Sequence, residues 1–345
     1  MPRIAVIGVS GRVGDCLRRF CPAGTEIVGL THKRPPITDG LAGVIEDFDI
    51  TDQRKVDETV RSLADNGVRT VINSARPGEG VDVIEAERYA KDPTSLSAFQ
   101  INGHGPGLLA GACAASAANG KPVLLLHLSA ETVFGDNVHR KKYTEEAEPP
   151  VPVELIGRPG YTDSDGLPTW DGLTQYVGER KVLERYPQGS VVVRMHGVQG
   201  PRGSFFARTA SEVQKGEPFT RVSDMYLAHL ADATVAKAIL TIEEAMHAPK
   251  RSVRGVYHVS ASTARTPYEI ALKFADAFGQ ARKLITPILL DELIESSRKA
   301  GRPYAQRPHY TILDVEKFER DFYRLPTAEA AIDEYVDVYG HLFEM

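Results

Sequence analysis

The sequence predicts an α/β protein in which a doubly wound parallel sheet is followed by a smaller, mixed C-terminal part. Through roughly the first 130 residues, short apolar runs alternate with longer amphipathic stretches, which implies parallel strands joined by right-handed helical crossovers. A glycine-rich turn also lies where the first strand meets the first helix. Residues 123–126 are apolar without interruption, as expected of a strand that is covered on both faces.

The individual elements follow from this pattern in chain order. Short apolar runs predict strands at residues 3–7, 26–30, 68–73, 122–128, 190–194 and 255–259. Apolar residues at helical spacing predict helices at residues 12–20, 52–65, 95–118, 172–185, 205–215, 230–246, 267–278 and 289–299. Thr51 is the expected N-cap of the second helix. The last strand lies between helices, so the C-terminal third is of mixed structure.

An irregular segment separates the two parts of the chain. Proline, glycine and aspartate interrupt the pattern between residues 137 and 170, which predicts a long loop. We therefore divide the chain into residues 1–195, which carry the parallel sheet and this loop, and residues 196–345, some of which return to the sheet. The sequence shows no internal repeat and no low-complexity tract.

Composition and charge exclude several kinds of protein. The chain has 345 residues, and its net charge of −5 gives no reason to expect a nucleic-acid partner. Three cysteines without CxxC spacing exclude a disulfide framework and argue against a structural zinc, and the ten histidines show no metal-ligand spacing. We therefore expect no metal site. No apolar stretch approaches about 18 residues and no signal sequence precedes the first strand, so we expect a cytoplasmic protein without a membrane partner.

The glycine-rich turn has the spacing GxxGxxG, with Gly8, Gly11 and Gly14 between a strand and a helix. The first glycine permits a tight turn, and the others let the backbone approach a pyrophosphate that the helix N-terminus then binds. In this position the motif predicts the dinucleotide-binding turn of a Rossmann domain, and the alternative is a purely structural turn. The residues expected to bind the cofactor here are Gly8, Ser10, Gly11, Arg12, Val13 and Gly14.

Basic residues follow the second strand. NAD(H) usually meets an acidic residue at this place, on its ribose 2′-hydroxyl, and this chain has His32, Lys33 and Arg34 instead. Cations suit a 2′-phosphate, with Arg12 as a further partner. The sequence therefore favours NADP(H) over NAD(H), unless Lys33 and Arg34 are only solvated charges in a proline-rich loop.

Further motifs continue in order along almost the whole chain. They include residues 128–136, which read LSAETVFGD, and residues 176–180, which read YVGER. In its motif order and spacing the chain resembles the extended short-chain dehydrogenase/reductase superfamily and, within it, the dTDP-4-dehydrorhamnose reductases. The segments that carry the resemblance are 8–14, 49–52, 71–75, 101–103, 128–136, 176–184, 193–194, 200, 255–258, 307–308 and 313–314.

The resemblance implies a catalytic hydroxyl, tyrosine and lysine. In this superfamily the tyrosine phenol gives a proton to a carbonyl oxygen as hydride arrives from the nicotinamide. The lysine, four residues later, lowers the phenol pKa and binds the ribose. Tyr176 matches the tyrosine, and the alternative is a packing residue of an amphipathic helix. Through the resemblance, the further expected cofactor contacts are Asp49, Ile50, Ser74, Ala75, Arg76, Asn102, Tyr176 and Arg180.

Two of the three catalytic positions depart from the family pattern. Arg180 stands where lysine is expected. Lys181 lies about 140° further round the helix and should not replace that lysine. The hydroxyl position falls on Ala130, while Ser129 points to the opposite face of the strand.

Arg180 and Glu131 are the two charged residues that could replace the missing lysine and hydroxyl in the family's reaction. Arg180 keeps a permanent charge and can bind ribose hydroxyls, or it forms an ion pair with Glu179 or Glu184. Glu131 lies where related reductases and dehydratases carry an acid. It acts as a general acid or as a metal-influenced carboxylate, unless it is only a surface glutamate. The expected catalytic residues are therefore Tyr176, Arg180 and Glu131.

Members of the superfamily place the substrate between the carboxyl ends of the strands and the smaller C-terminal part, which is thus a substrate-binding part. Arg202 and Arg307 are candidate partners for a substrate phosphate or carboxylate, unless they are surface or interdomain arginines. Trp170, the single tryptophan, either stacks on a base or sugar or anchors the core. The candidate substrate residues are Ala130, Glu131, Phe134, His196, Arg202 and Arg307.

The leading functional hypothesis is an NADP(H)-dependent oxidoreductase that acts on a nucleotide-linked keto sugar or a similar polar carbonyl. The two departures favour a first alternative, a non-catalytic regulatory or scaffold protein that keeps the cofactor. The second alternative is a sugar-nucleotide dehydratase or epimerase, although Thr132 stands where such dehydratases carry a second carboxylate. The family also implies a homodimer formed through the helices predicted at residues 95–118 and 172–185.

Overall fold

A parallel sheet flanked by helices forms the centre of the molecule. The computed structural model describes residues 1–33, 38–77, 98–137, 139–149, 168–249, 253–301 and 308–343. Its strands are β1 (Arg3–Ile7), β2 (Glu26–Leu30), β3 (Gly43–Ile45), β4 (Thr70–Asn73), β5 (Leu124–Ala130), β6 (Ser190–Met195), β7 (Val198–Gln199), β8 (Phe219–Val222), β9 (Leu230–Ala231), β10 (Gly255–Val259) and β11 (Ile285–Ile288).

The central sheet has seven strands in the described part of the chain, in the order β10-β6-β5-β4-β1-β2-β3. Every neighbouring pair in it is parallel. The order reverses at β1, and at such a switch point the carboxyl ends of the strands leave a crevice for a ligand. The predicted doubly wound α/β fold is confirmed.

The helices cover both the sheet and the smaller C-terminal part. Their bounds are α1 (Arg12–Phe20), α2 (Gln53–Asp65), α3 (Gly105–Ala118), α4 (Trp170–Arg185), α5 (Phe205–Gln214), α6 (Asp232–Met246), α7 (Pro267–Ala277), α8 (Leu290–Lys299), α9 (Glu316–Asp321) and α10 (Ala328–Tyr339). The main core surrounds the central sheet. A second core lies in the C-terminal part, where the rings of Phe206, Phe274 and Tyr335 meet edge to face.

Several predicted boundaries need correction. The helix expected at 95–118 contains a π-helical segment, Phe99–His104, before α3 begins. Thr51 does not cap α2, because its hydroxyl donates to Asp49 and the Asp52 carboxylate accepts from the Lys55 amide instead. The helix expected at 230–246 starts only at Asp232, since the two residues before it form β9 beside β7.

The C-terminal part is joined to the first helix of the sheet. The guanidinium of Arg19 on α1 bonds both Asp232 on α6 and the Tyr339 hydroxyl on α10. Tyr339 in turn donates to Asp232 Oδ2 at 2.8 Å. β10 lies at the predicted residues 255–259 and pairs with β6 in the central sheet. Among the described helices, none combines the length and apolar character that crossing a membrane requires.

Candidate active site

Glycine is required at one position in the turn between β1 and α1 and at one position in the first turn of α1. Gly8 has a φ of +78°, in the left-handed region that favours glycine. A Cβ on Gly14 would lie 2.3 Å from the Val9 carbonyl oxygen, so α1 packs directly on the turn. The Gly11 amide donates to the Gly8 carbonyl oxygen at 2.8 Å and closes the turn. The strand–turn–helix predicted for this segment is present.

The N-terminus of α1 is open toward an anion. Gly11 is its N-cap, and no side chain caps the helix there. Asp15, the acid of the first turn, pairs with Arg18 at 2.8 Å and Arg19 at 2.9 Å, so its charge is compensated within the helix. The amide groups and the dipole of such a helix end favour a phosphate. The other predicted contacts at this end are Ser10, Arg12, which is exposed, and Val13.

The end of β2 lies next to this turn, because the Gly8 amide donates to the Leu30 carbonyl oxygen at 3.0 Å. His32 and Lys33 follow β2 and are exposed. They are thus free to meet a phosphate group near the turn. Arg34, the third predicted cation, lies outside the described residues.

Asp49 lies beside the same strand end, with Oδ2 at 3.9 Å from His32 Nε2. Thr51 donates to Asp49 Oδ1 from its amide at 2.9 Å and from its hydroxyl at 2.7 Å. Burial alone would raise the pKa of the Asp49 carboxyl, but these hydrogen bonds and His32 lower it. Ile50, the next predicted contact, is buried and packs against Gly105 at the start of α3. An acid therefore stands near His32, although one of its oxygens is engaged by Thr51.

Three predicted cofactor residues follow β4 and border the glycine turn. The Ser74 hydroxyl donates to the Ile7 carbonyl oxygen at 2.6 Å, and a Cβ on Gly8 would lie 3.0 Å from the Ser74 carbonyl oxygen. The exposed Arg76 guanidinium donates to the Leu128 carbonyl oxygen at 3.3 Å, which connects this loop to β5. The three residues are Ser74, Ala75 and Arg76.

Tyr176 lies on α4, whose first turn is set by the Thr169 hydroxyl accepting from the Gly172 amide at 3.2 Å. The side chain is 7% exposed and packs with Val133, Phe134 and Leu313. The ring is therefore fixed against the segment that follows β5.

Arg180, one helical turn later, interacts with two side chains. Its Nη2 lies 3.2 Å from Glu184 Oε1, and 52% of the Arg180 side chain is exposed. Hydrogen bonding with the Tyr176 phenol, and then with Glu184, raises the pKa of the Arg180 guanidinium. The predicted alternative, an ion pair, is present with Glu184, whereas Glu179 pairs with another residue.

Lys181 does not take the place of the missing lysine. Its ammonium group lies 5.6 Å from the centre of the Phe99 ring, and a Cβ on Gly107 would touch its side chain at 2.9 Å. Burial, followed by the charge of Arg185, lowers the pKa of Lys181. The side chain thus faces the π-helical segment and α3, as its i+5 position predicted.

A buried ion pair supports α4 against the sheet. Glu179 Oε2 accepts from Arg194 Nη2 on β6 at 2.7 Å. The Arg194 guanidinium lies 4.9 Å above the Phe134 ring, whose centre is 4.1 Å from that of Tyr143. Phe134 is 0% exposed because these groups pack against its ring. In this structure Phe134 packs beneath the site, and the expectation that it contacts the substrate stays a prediction.

A polar network at the start of α4 was not predicted. Asp171 Oδ2 accepts from Gln175 Nε2 at 2.6 Å and from the Thr132 hydroxyl at 3.2 Å. Its Oδ1 accepts from Asn102 Nδ2 at 3.3 Å, and Asn102 also donates to Thr174 Oγ1 at 3.1 Å. Asn102, a predicted cofactor contact, belongs to the π-helical segment and is buried against α4. The four-residue spacing of Asp171 and Gln175 on one helix face was the available signal.

Burial alternates at the end of β5 as predicted. Ser129 is buried, and its hydroxyl has no hydrogen-bond partner among the described residues, whereas Ala130 is partly exposed. Glu131 follows, with 16% of its side chain exposed. Its Oε1 lies 3.6 Å from His196 Nδ1, so the structure brings together two residues that were predicted for separate roles.

Three further predicted residues lie elsewhere or cannot be placed. Trp170 is buried and stacks on Phe99 with ring centres 6.5 Å apart, so it anchors the core. Arg202 is exposed in the turn between β7 and α5. Arg307 lies outside the described residues.

The residues around the glycine turn fit a nicotinamide dinucleotide. The start of α1 has no side-chain cap and α1 packs closely on Val9, and a helix start of this kind suits a pyrophosphate. Because all strands are parallel, the loops after β1, β2, β4 and β5 lie along this same edge. No group of three or more His, Cys, Asp or Glu side chains in the described ranges is arranged to hold a metal ion.

A model of a known protein family matches almost the whole chain. The family is described as the RmlD substrate binding domain, and residues 2–340 are matched. The match therefore includes both the glycine turn and the C-terminal part.

Similar proteins include an enzyme and a subunit of another enzyme. dTDP-4-dehydrorhamnose reductase from Escherichia coli (strain K12) is 28% identical over 329 residues, which cover 92% of this chain and 91% of the relative. Methionine adenosyltransferase 2 subunit beta from Rattus norvegicus is 25% identical over 327 residues, which cover 92% and 81%. A crystal structure of dTDP-4-dehydrorhamnose reductase from Bacillus anthracis str. Ames, in complex with NADP, has a TM-score of 0.71 at 21% identity. That match covers 98% of this chain and 99% of that chain.

Proposed function

The chain belongs to the RmlD substrate binding domain family, and on this premise we propose that it is an NADP(H)-dependent oxidoreductase. Its substrate is a nucleotide-linked keto sugar or a similar polar carbonyl. The observation that carries the proposal is the position of Tyr176, which is buried against the segment that follows β5 and has Arg180 one helical turn later on the same helix. The reductase from Escherichia coli, which aligns over almost its full length, supports the same reaction type.

Tyr176 is the proton donor of the proposed reaction. Its phenol gives a proton to the carbonyl oxygen while the carbonyl carbon is reduced, so that a ketone becomes an alcohol. The phenolate that remains is stabilised by the positive charge of Arg180. Because the guanidinium does not give up its own proton, Arg180 acts by charge and hydrogen bonding and not as a proton relay.

The cofactor site is formed by three loops at the carboxyl edge of the sheet. When bound, NADPH supplies the hydride. The turn that contains Gly11 would hold the pyrophosphate, and the loop that contains Ser74 would border it. His32 and Lys33 would bind the 2′-phosphate, which is the reason for the preference for NADP(H).

Tyr176→Phe tests the proposed reaction directly. The oxidation of NADPH is measured with a series of dTDP-4-keto sugars. We expect turnover by the wild type and a loss of at least about 100-fold in kcat on removal of the phenol hydroxyl. Tyr268→Phe on α7, in the C-terminal part, is the matched control and should keep the wild-type rate. Absence of turnover with every sugar, or an unchanged rate in Tyr176→Phe, would refute the proposal.

A regulatory or scaffold protein is the second candidate. Two observations favour it: Ala130 carries no hydroxyl, and Arg180 is paired with Glu184. The similar methionine adenosyltransferase subunit shows that a protein of this kind can be part of a larger enzyme. This candidate predicts that NADP(H) copurifies with the chain, that no keto sugar is reduced, and that a stable protein partner is recovered with it.

A further inference from the structure

Glu131 and His196 meet at the carboxyl edge of the sheet because of its register. β5 and β6 are parallel neighbours, and Ala130 lies opposite Met195 at their ends. Glu131 and His196 are the first residues after these two strands. Nδ1 of the His196 imidazole lies 3.6 Å from Oε1 of the Glu131 carboxylate. Apo active sites often hold such contacts slightly long until a substrate is bound.

The burial of the two side chains differs sharply. Only 1% of the His196 side chain is exposed, against 16% for Glu131. Neither ring nitrogen of His196 completes a hydrogen bond of good geometry with the described residues. One carboxylate oxygen of Glu131 thus lies near a buried imidazole, while part of the Glu131 side chain is exposed.

The imidazole is a neutral donor in this setting. Burial lowers the pKa of His196, although Glu131 and the Thr311 backbone partly oppose that effect. A neutral imidazole carries a single N–H. Glu131 faces Nδ1 and competes with the Thr311 backbone for that proton, and the proposal below places it on Nδ1. The ring is bounded on another side by His229, whose centre lies 6.0 Å away at a steep angle.

We propose that His196 is a positioning residue that holds the Glu131 carboxylate as an acceptor for a substrate hydroxyl next to the reacting carbonyl. This inference rests on the proposed function and makes it narrower. An ionised carboxylate accepts hydrogen bonds and does not donate them. It therefore orients a hydroxyl group, whereas Tyr176 supplies the donor to the carbonyl oxygen. An analogue without the neighbouring hydroxyl is then a poor substrate.

The kinetic test compares a dTDP-4-keto sugar with a hydroxyl at C3 and its 3-deoxy analogue. We expect the wild type to prefer the hydroxylated sugar by about 100-fold in kcat/KM, since a site built to bind a hydroxyl rejects its absence strongly. Glu131→Gln and His196→Leu should reduce that ratio to about tenfold or less. His196→Asn, whose amide can donate near the Nδ1 position, should restore most of it. His247→Leu removes a histidine that lies 3.4 Å from Glu243 at the other end of the sheet, and it should leave the ratio unchanged.

A second measurement is independent of turnover. The ¹⁵N chemical shifts of the His196 ring in the free protein report which nitrogen carries the proton, and His196→Asn assigns the signals. We expect an Nδ1–H tautomer whose shift changes in Glu131→Gln. Two results would overturn the inference. One is an Nε2–H tautomer whose ¹⁵N shifts do not change in Glu131→Gln. The other is a folded His196→Asn variant that prefers the hydroxylated sugar no more strongly than His196→Leu does. If the wild type reduces no keto sugar, the proposed function fails, and the ¹⁵N shifts still decide whether the pair exists.

Discussion

Arg180 holds a place on α4 where a lysine would carry a smaller and more mobile charge. Its guanidinium is shared between the Tyr176 phenol and the Glu184 carboxylate. The Glu184 carboxylate competes with the Tyr176 phenol for the guanidinium. We therefore expect Arg180→Lys to raise kcat about tenfold, which corresponds to a decrease of about 1.4 kcal/mol in activation free energy. Arg54→Lys, in the exposed pair of Arg54 with Glu58 on α2, is the control and should have no effect. A slower Arg180→Lys enzyme would contradict this view of the ion pair.

Lys33 sets the choice of cofactor in our account. It is exposed after β2, next to the glycine turn, where it can pair with a 2′-phosphate. We expect Lys33→Glu to weaken NADPH binding at least about tenfold and to leave NADH binding unchanged, because only NADPH carries the phosphate. Calorimetric titration of both cofactors measures this, with Lys299→Glu on α8 as the control. Equal losses of affinity for NADPH and NADH would show that Lys33 does not contact the 2′-phosphate.

Single residues were predicted well where the strand or helix period fixes their direction. Ser129 and Ala130 face opposite sides of β5, and Lys181 faces away from Tyr176, because these periods are geometric. Asp171 was missed because its role depends on Thr132 and Asn102, which are distant in the sequence. The full burial of Phe134 was not predicted, because the motif fixes the register of this residue but not its packing.

At the scale of elements, α4 lies unusually close to the π-helical segment. A Cβ on Gly178 would lie only 2.1 Å from the Asn102 carbonyl oxygen. We therefore expect Gly178→Ala to lower the free energy of unfolding by about 1–3 kcal/mol and to displace Tyr176, with a loss of activity. Gly111→Ala on α3 is the matched control, since its Cβ would meet only Arg185 at 3.8 Å. Urea unfolding measures both, and an equally stable Gly178→Ala protein would contradict the packing argument.

Elements with a strong apolar pattern were predictable, and short or irregular ones were not. β1, β2 and β10 were predicted with the bounds that the structure has. β7 and β9, with two residues each, have no period to detect, and their pairing exists only through tertiary structure. The π-helical segment was also hidden, because its residues share the composition of the helix that follows it.

At the scale of the whole molecule, buried histidines couple stability to pH. Burial, followed by the charges of Arg76 and of Arg194 respectively, lowers the pKa of His127 and of His258 to about 3. In the unfolded chain these groups take up protons near pH 6.5, so stability is full above that value and is lost as the pH falls. The expected slope is about 1.4 kcal/mol per pH unit for each histidine.

Urea unfolding between pH 7 and pH 5 measures this slope. His127→Gln should flatten it by the share of one histidine, whereas His341→Gln, at an exposed position near the C-terminus, should leave it unchanged. A stability that does not depend on pH in this interval would mean that the buried imidazoles are accessible to protons in the folded protein.

The whole architecture places the glycine turn, Tyr176 and Glu131 along one edge of a single sheet. The sequence was sufficient for this arrangement, because parallel strands bring the residues that follow them to the same edge. The ion pair of Arg19 with Asp232 joins α1 to the C-terminal part. It could not be predicted, because no local sequence pattern relates these two residues. Arg34 and Arg307 lie outside the described residues, so the roles expected of them stay predictions.

The most direct test of the central claim follows the transferred hydrogen. NADPH that carries deuterium at the reactive C4 position is incubated with the protein and a dTDP-4-keto sugar, and the sugar product is analysed by mass spectrometry. Our account predicts an alcohol with one deuterium on the former carbonyl carbon, formed by the wild type and almost absent with Tyr176→Phe. A bound cofactor that keeps its deuterium while the keto sugar is recovered unchanged would contradict it.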